Sequence, residues 1–229
     1  MADKEIISMA LLEESVEFAE NPEPRCPCIL LLDTSGSMHG APIAALNEGL
    51  RTFAANLQKD GLASRRVEVA VIAFSNEVRV LQDFVTADQF EPPTLIAGGM
   101  THMGTAIQKA LDLLHERKAQ YRTAGVAYYR PWVFLITDGA PQGESDEAIE
   151  AARQRIILEE NARRVAFFAV GVEGANMEQL ATVSVRTPVK LIGLNFVEMF
   201  VWLSASMQRV SQSQMGDQVA LPPPGWGTV

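Results

Sequence analysis

Apolar runs alternate with segments of helical periodicity along most of the chain. Continuous apolar runs of six to eight residues are typical of strands that are buried on both faces of a sheet. The segment that begins at Pro42 instead has apolar residues three or four positions apart through Leu57, which predicts an amphipathic helix. Four apolar runs occur, at residues 28–33, 67–74, 132–138 and 165–172.

Two further segments complete the predicted sheet. A β-rich run at 78–85 follows the run at 67–74 after a short gap, which suits a hairpin and therefore an antiparallel edge strand. A short apolar segment at 189–192 predicts a last strand before a helix from about 196 to 210. The alternation predicts an α/β fold: a doubly wound, mostly parallel six-stranded sheet with one antiparallel edge strand and helices on both faces.

The same pattern suggests three parts of the chain. Residues 1–23 form an N-terminal extension, residues 24–211 form one α/β domain, and residues 212–229 form a proline-rich tail. Three consecutive prolines at 222–224 favour an extended polyproline II segment. We expect Leu221 and Trp226 to anchor this tail, either on the domain itself or on a partner protein.

Composition excludes several classes of function. The 229 residues are 48% hydrophobic and 21% charged, which suits a globular domain with a sizeable core. A formal net charge of −9 argues against nucleic acid and against anionic membrane surfaces as partners. Cys26 and Cys28 form one isolated pair, too little for a zinc site or a disulfide scaffold. The chain shows no signal-peptide pattern and no apolar stretch of membrane-spanning length, so we expect a cytoplasmic protein.

Oxygen-bearing side chains cluster where predicted strands end. Asp33, Ser35 and Ser37 follow the first strand, Thr101 follows a Gly-Gly loop, and Asp138 ends the apolar run at 132–138. Ligands of doubly wound sheets bind at the carboxyl ends of the strands. Carboxylate and hydroxyl oxygens are the ligands that Mg²⁺ or Mn²⁺ prefers. These five side chains are therefore predicted to hold one such ion.

Each of these residues also has an ordinary structural interpretation. Ser35, Ser37 and Thr101 could cap the helices that follow them, as Ser and Thr often do. Asp33 and Asp138 could be turn residues that end strands. We favour a single site over independent caps and turns, because the five residues lie on three loops that the predicted fold brings to the same edge of the sheet.

The arrangement resembles the von Willebrand factor A domain. The resemblance rests on Asp-x-Ser-x-Ser at 33–37, a threonine after a Gly-Gly loop and Thr-Asp-Gly at 137–139, and it covers about residues 24–210. It implies a metal-ion-dependent adhesion site at Asp33, Ser35, Ser37, Thr101 and Asp138. It also implies one coordination position left open for an Asp or Glu carboxylate of a protein partner.

Two C-terminal segments resemble a narrower group. The residues at 202–207 and 217–224 are similar to those of the bacterial TerY group, which is associated with tellurite resistance and stress response. This resemblance implies protein kinase or phosphatase modules as partners.

Catalysis has little support in the sequence, so we expect a binding protein and not an enzyme. A haloacid-dehalogenase-type phosphatase needs Asp-x-Asp, and here Ser35 replaces the second carboxylate. The chain contains no Gly-x-Ser-x-Gly elbow, no P-loop and no dinucleotide fingerprint. The alternatives that stay open are an organiser subunit of a chelatase or ATPase machine and, less favoured, a Mg²⁺-dependent hydrolase.

Overall fold

The fold is built around a single sheet with the strand order β3-β2-β1-β4-β5-β6-β7. The computed structural model of the protein describes residues 17–228. The pairs β1–β2, β1–β4, β4–β5 and β5–β6 are parallel. The strands are β1 (Cys26–Asp33), β2 (Val67–Phe74), β3 (Val78–Thr86), β4 (Trp132–Thr137), β5 (Ala166–Gly171), β6 (Val189–Leu191) and β7 (Gly227–Thr228).

The predicted fold class is confirmed, with one more strand than expected. The hairpin prediction was right, since β3 pairs antiparallel with β2 at one edge. The expected count of six strands was one too low, because the two-residue β7 pairs antiparallel with β6 at the other edge. A strand this short, beyond three prolines, has no pattern of its own, and its pairing depends on where the tail docks.

Helices cover both faces of the sheet. Side chains alternate along β1, so that Leu30 and Leu32 join one core cluster while Ile29 and Leu31 join the other. The first cluster contains α1 and α6, and the second contains α3 and α4. The helices are α1 (Ala41–Gln58), α2 (Ala63–Arg66), α3 (Met103–Ala124), α4 (Asp146–Asn161), α5 (Met177–Val183) and α6 (Phe196–Gln212).

A glycine lets α1 and α6 approach closely. A Cβ atom on Gly49 would lie 2.5 Å from the ring of Phe200, so a larger residue would force the helices apart. The buried rings of Phe53 and Phe200 then meet with centroids 5.5 Å apart. None of the helices formed by residues 17–228 is both long and apolar enough to cross a membrane.

The C-terminal tail docks on the domain. Trp226 is 4% exposed, and its ring lies edge-on to Trp202, with centroids 5.6 Å apart. The Trp202 indole also donates a hydrogen bond of 2.8 Å to the carbonyl of Pro222, and Leu221 packs on the core. Both expected anchors therefore contact this domain. Most of the predicted N-terminal extension, residues 1–16, lies outside the described residues.

A buried ion network at the amino edge of the sheet joins Arg25, just before β1, to β2 and α3. Glu68, on β2, is fully buried and accepts hydrogen bonds from Arg25 at 2.8 Å and from Arg117 at 2.9 Å. The hydroxyl of Tyr121 also donates to Glu68. Burial and the charge of Glu68 raise the pKa of Tyr121. Arg117 also pairs with Glu17, so two carboxylates compensate two cations that would otherwise be costly to bury.

Removing this carboxylate should strongly destabilise the fold. We expect Glu68→Ala to lower the free energy of unfolding by about 3–5 kcal/mol, because Arg25 would stay buried without a counter-charge and Arg117 would keep only the half-buried Glu17. Denaturant titration measures the loss. The control is Glu48→Ala, which removes an exposed partner of Arg51 and should cost less than about 0.5 kcal/mol. Equal losses in the two variants would contradict the role assigned to Glu68.

Candidate metal centre

The candidate site lies where the strand order reverses. Strands β2 and β3 lie on one side of β1, and β4 to β6 lie on its other side. The loops that follow β1 and β4 therefore leave the carboxyl edge of adjacent strands in opposite directions. This crevice is the usual ligand position in doubly wound sheets.

Asp33 is held at the base of the crevice. It is the last residue of β1 and is fully buried. Its Oδ1 atom accepts a 2.7 Å hydrogen bond from the backbone N–H of Ser35, which turns the loop back over the carboxylate. Its Oδ2 atom accepts a hydrogen bond from the hydroxyl of Thr137, at the end of β4. The two adjacent strands thereby fix one carboxylate.

Two serines connect this loop with the loop after β4. The hydroxyl oxygens of Ser35 and Ser37 lie 3.0 Å apart. Ser37 then donates a 2.8 Å hydrogen bond to Oδ1 of Asp138. Ser37 is exposed, whereas Ser35 is 2% exposed. Four of the five predicted residues therefore form one continuous cluster that opens to solvent at Ser37.

Thr101 lies beside this cluster without hydrogen-bonding to it. A Cβ atom built on Gly139 would be 3.8 Å from the Thr101 hydroxyl oxygen, which places Thr101 next to the residue after Asp138. The backbones of Thr101 and Gln142 exchange hydrogen bonds of 3.2 and 2.9 Å. The fifth predicted residue is thus brought to the site by the loop after β4.

The Gly-Gly loop is fastened to the loop after β1. The N–H of Gly36 donates to the carbonyl of Gly99 at 2.9 Å, and the N–H of Gly98 donates to the carbonyl of Thr34 at 2.8 Å. Gly99 has a φ of +92°, and a Cβ there would lie 2.9 Å from the side chain of Asn76. Glycine is required at this position both for its backbone conformation and for space.

The capping interpretation of the hydroxyl residues is not supported. The N-cap residue of α1 is Gly40 and that of α3 is His102, and neither makes a side-chain capping hydrogen bond. Ser35 precedes the short 3₁₀ turn at Gly36–Met38, also without a side-chain cap. The hydroxyls of Ser35 and Ser37 instead hydrogen-bond to each other, and Ser37 also donates to Asp138.

The electrostatics of the cluster suit a cation. Burial raises the pKa of Asp33 to about 6, although hydrogen bonds from Ser35 and Thr137 oppose this rise. Partial burial also raises the pKa of Asp138. Within residues 17–228, neither carboxylate has an ion-pair partner among the Lys, Arg and His side chains. Two carboxylates without a counter-cation, surrounded by hydroxyl oxygens, form a donor set that fits Mg²⁺ or Mn²⁺.

The donor set is rich in hydroxyl groups and poor in charged ligands. In the part of the chain that the structure describes, no group of three or more His, Cys, Asp or Glu side chains could hold a metal ion. A site here therefore depends on Ser35, Ser37 and Thr101 as well as on the two aspartates. We expect modest affinity, because few of its ligands carry charge.

Two residues that position the site were not predicted as site residues. Thr137 orients the carboxylate of Asp33. Its position directly before Asp138, at the end of β4, could have identified it as a neighbour of the site. Glu144 caps α3 from the loop after β4: its carboxylate accepts from the N–H groups of Gly104 at 2.6 Å and Thr105 at 3.0 Å. No local spacing indicates a cap from a residue 40 positions away.

The fold and the cluster define a class: doubly wound α/β domains with a carboxylate–hydroxyl site at the switch in strand order. The family model for the von Willebrand factor type A domain matches residues 28–190. The chain therefore belongs to the von Willebrand factor type A family. A search of curated protein sequences finds no match.

Solved structures agree with this fold. A von Willebrand factor type A protein from Catenulispora acidiphila has a TM-score of 0.64 at 20% identity, covering 81% of this chain and 43% of that one. The pilus adhesin SpaC from Lactobacillus rhamnosus GG, in its open conformation, scores 0.62 at 15% identity, covering 82% and 30%. The von Willebrand factor domain of the pilus tip protein Mfa5 from Porphyromonas gingivalis scores 0.58 at 11% identity, covering 86% and 99%. At these identities the likeness establishes the fold alone.

Glu144 offers a test of how the site loops are held. We expect Glu144→Ala to lower the free energy of unfolding by about 1–2 kcal/mol, because two N–H groups at the start of α3 lose their acceptor. Thermal or denaturant unfolding measures the change. Glu144→Gln keeps one acceptor oxygen and should lose less, and Glu116→Ala, at an exposed position of α3, is the control. A variant as stable as the wild type would show that the cap is dispensable.

Proposed function

We propose that the protein is a metal-dependent protein-binding module that captures an acidic group of a partner. The observation that carries this proposal is the buried carboxylate of Asp33, which lacks a counter-cation and lies at the base of a cluster of hydroxyl oxygens open to solvent. Interaction modules are also the common role of the von Willebrand factor type A family.

All five side chains would contribute oxygen ligands to Mg²⁺ or Mn²⁺. Asp33 and Asp138 would supply negative charge, while Ser35, Ser37 and Thr101 would supply neutral oxygens. A bound divalent ion would reverse the sign of the local potential and make the site attractive to an anion. Thr137 and the backbone of Ser35 keep the Asp33 carboxylate in place.

The open side of the cluster fits a carboxylate from another protein. Ser37 is exposed, so an approaching group can reach this end of the site without any rearrangement of the core. The chain carries a net charge of −9, which would repel an acidic partner in the absence of the ion. Binding should therefore require both the metal and an Asp or Glu of the partner.

We favour binding over catalysis for this site. Both carboxylates are engaged with hydroxyl or N–H groups of the cluster, and the sequence offers no motif that marks a general base beside it. The alternatives are an organiser subunit of a chelatase or ATPase machine, and a Mg²⁺-dependent hydrolase. Hydrolysis of phosphate esters that depends on Asp138 would favour the hydrolase.

The narrower biological setting that we propose is a bacterial, cytoplasmic stress-response or tellurite-resistance system with kinase or phosphatase partners. Its support is the C-terminal resemblance alone. The two segments that carry this resemblance contact each other through the hydrogen bond from Trp202 to Pro222. A chelatase-type role would instead require an ATPase as the partner.

Metal binding tests the first part of the proposal. We expect one Mg²⁺ per chain by titration calorimetry and no binding to Asp33→Ala, because this change removes the central carboxylate. Asp88→Ala, at an exposed position outside the site, is the matched control and should bind as the wild type does.

The fold itself should not need the ion. Saturating Mg²⁺ should stabilise the protein by only the linkage amount, about 2.7 kcal/mol at a hundredfold excess over Kd. Identical calorimetric titrations of the wild type and Asp33→Ala would refute the site. A chelated protein that is unfolded at room temperature would show that the metal is structural.

Partner capture tests the second part. We expect proteins retained from native lysate in Mg²⁺ to be lost in chelator and to be strongly reduced by Thr101→Ala. Circular dichroism should not change, because Thr101 lies on a loop. Thr123→Ala, at an exposed position on α3, is the control. Retention that survives both chelator and Asp33→Ala would place the interface elsewhere.

A further inference from the structure

A second concave surface lies at the opposite edge of the sheet. Two adjoining clefts of about 310 and 670 Å³ share the lining residues Tyr128, Arg130 and Arg163, and we call the two together the basic trough. It is lined by the start of β4, at Trp132, and by the start of β5, at Ala166. The candidate metal site lies at the other end of these strands.

The trough concentrates positive charge on a chain whose net charge is −9. Two carboxylates, Glu159 and Asp217, line it, and Glu160 contacts its arginines. The cations outnumber these three carboxylates by two to one. The cationic side chains are Lys118, Arg122, Arg130, Arg163, Arg164 and Arg186.

Two of the carboxylates are each shared by two cations. Glu160 accepts hydrogen bonds from Arg130 at 2.5 Å and from Arg186 at 2.8 Å, and it is fixed by a further bond of 2.7 Å from the N–H of Phe167. Glu159 similarly pairs with Lys118 at 3.6 Å and with Arg164 at 3.0 Å. Each pair of cations therefore keeps a positive surplus. Glu160 also holds two guanidinium groups in a fixed orientation.

Two other arginines have no carboxylate. Within residues 17–228, the side chain of Arg163 makes no hydrogen bond or ion pair, and Arg122 contacts only the hydroxyl of Tyr128, at 3.5 Å. Partial burial lowers the pKa of Arg130; Glu160 opposes this, and the positive charges of Arg186 and Arg163 add to it. The arginines of the trough are thus close enough to repel one another, and this repulsion would be relieved by a bound anion.

We propose that the basic trough binds an extended, phosphorylated segment of a partner protein. Guanidinium groups form bidentate hydrogen bonds with phosphate, and Arg163 has all its donors free for such contacts. The cations are spread along two joined clefts, which suits an extended chain with several negative charges better than a compact ion. The acidic remainder of the surface would repel a long nucleic acid.

This site would act separately from the metal centre. Strand β4 spans the distance between the two edges, and its six residues correspond to about 17 Å between the first and last Cα atoms. No residue of the trough belongs to the metal cluster. The protein could then hold an acidic group at one edge of the sheet and a phosphorylated segment at the other.

The test is fluorescence anisotropy on the full chain. The probe is a twelve-residue labelled peptide of Gly, Ser and Glu with one central phosphoserine, and the same peptide without phosphate is its counterpart. We expect the phosphopeptide to bind at least tenfold more tightly than its counterpart. Binding should weaken at least tenfold in the double variant Arg122→Gln/Arg163→Gln. Arg79→Gln, which removes an exposed cation from β3, is the control and should bind normally.

Additional measurements distinguish this proposal from the metal site and from other anionic ligands. Chelator and Asp33→Ala should leave phosphopeptide binding unchanged, so failure of the metal proposal would not affect this result. Equal binding of the two peptides, or unchanged binding by the double variant, would overturn the proposal. Inorganic phosphate that competes with the same affinity as the peptide would reassign the trough to a free anion. Tighter binding of a single-stranded oligonucleotide would reassign it to nucleic acid.

Discussion

The burial of Asp33 is the constraint on which the site depends. Strand β1 lies between β2 and β4, with both faces covered by helices, and every one of its residues is buried. A carboxylate at the end of such a strand must be compensated, because an isolated buried charge is very costly. Hydrogen bonds from Ser35 and Thr137 compensate part of this cost, yet the pKa stays raised, at about 6. The loops around Asp33 therefore place hydroxyl oxygens about a buried carboxylate, and our proposal of a metal site rests on this arrangement.

The balance between positive and negative side chains differs at the two edges of the sheet. At the carboxyl edge, two aspartates meet without any cation, and hydroxyl groups fill the space between them. At the amino edge, arginines outnumber carboxylates, and Glu160 holds two of them at once. Inside the protein, at the amino ends of β1 and β2, Glu68 and Glu17 together balance Arg25 and Arg117. The interior pairing stabilises the fold, whereas the two edges with unbalanced charge are the surfaces on which we propose that partners bind.

The sequence was enough to predict that the site residues lie together, but not which residues hold the loops around them. Asp33, Ser35, Ser37 and Asp138 are recognisable because each follows a buried strand, and parallel strands bring their carboxyl ends to one edge. The structure joins these four by hydrogen bonds and places Thr101 beside them. Glu144 and Asn76 hold the surrounding loops, and neither has a local signature. Their roles arise from contacts between segments that are distant in sequence, which no periodicity can encode.

The sequence by itself determined the α/β class, the two-sided burial of the strands, the antiparallel hairpin and the candidate ligands. These features follow from local patterns: continuous apolar runs, helical spacing and polar residues at strand ends. Only the tertiary structure decided that the tail returns to the sheet, where Trp226 is buried against Trp202 and β7 pairs with β6. It also decided that arginines from α3 and from the loops before β4, after α4 and after α5 share one trough. These arrangements depend on packing and charge between remote segments, and such interactions exist only once the chain has folded.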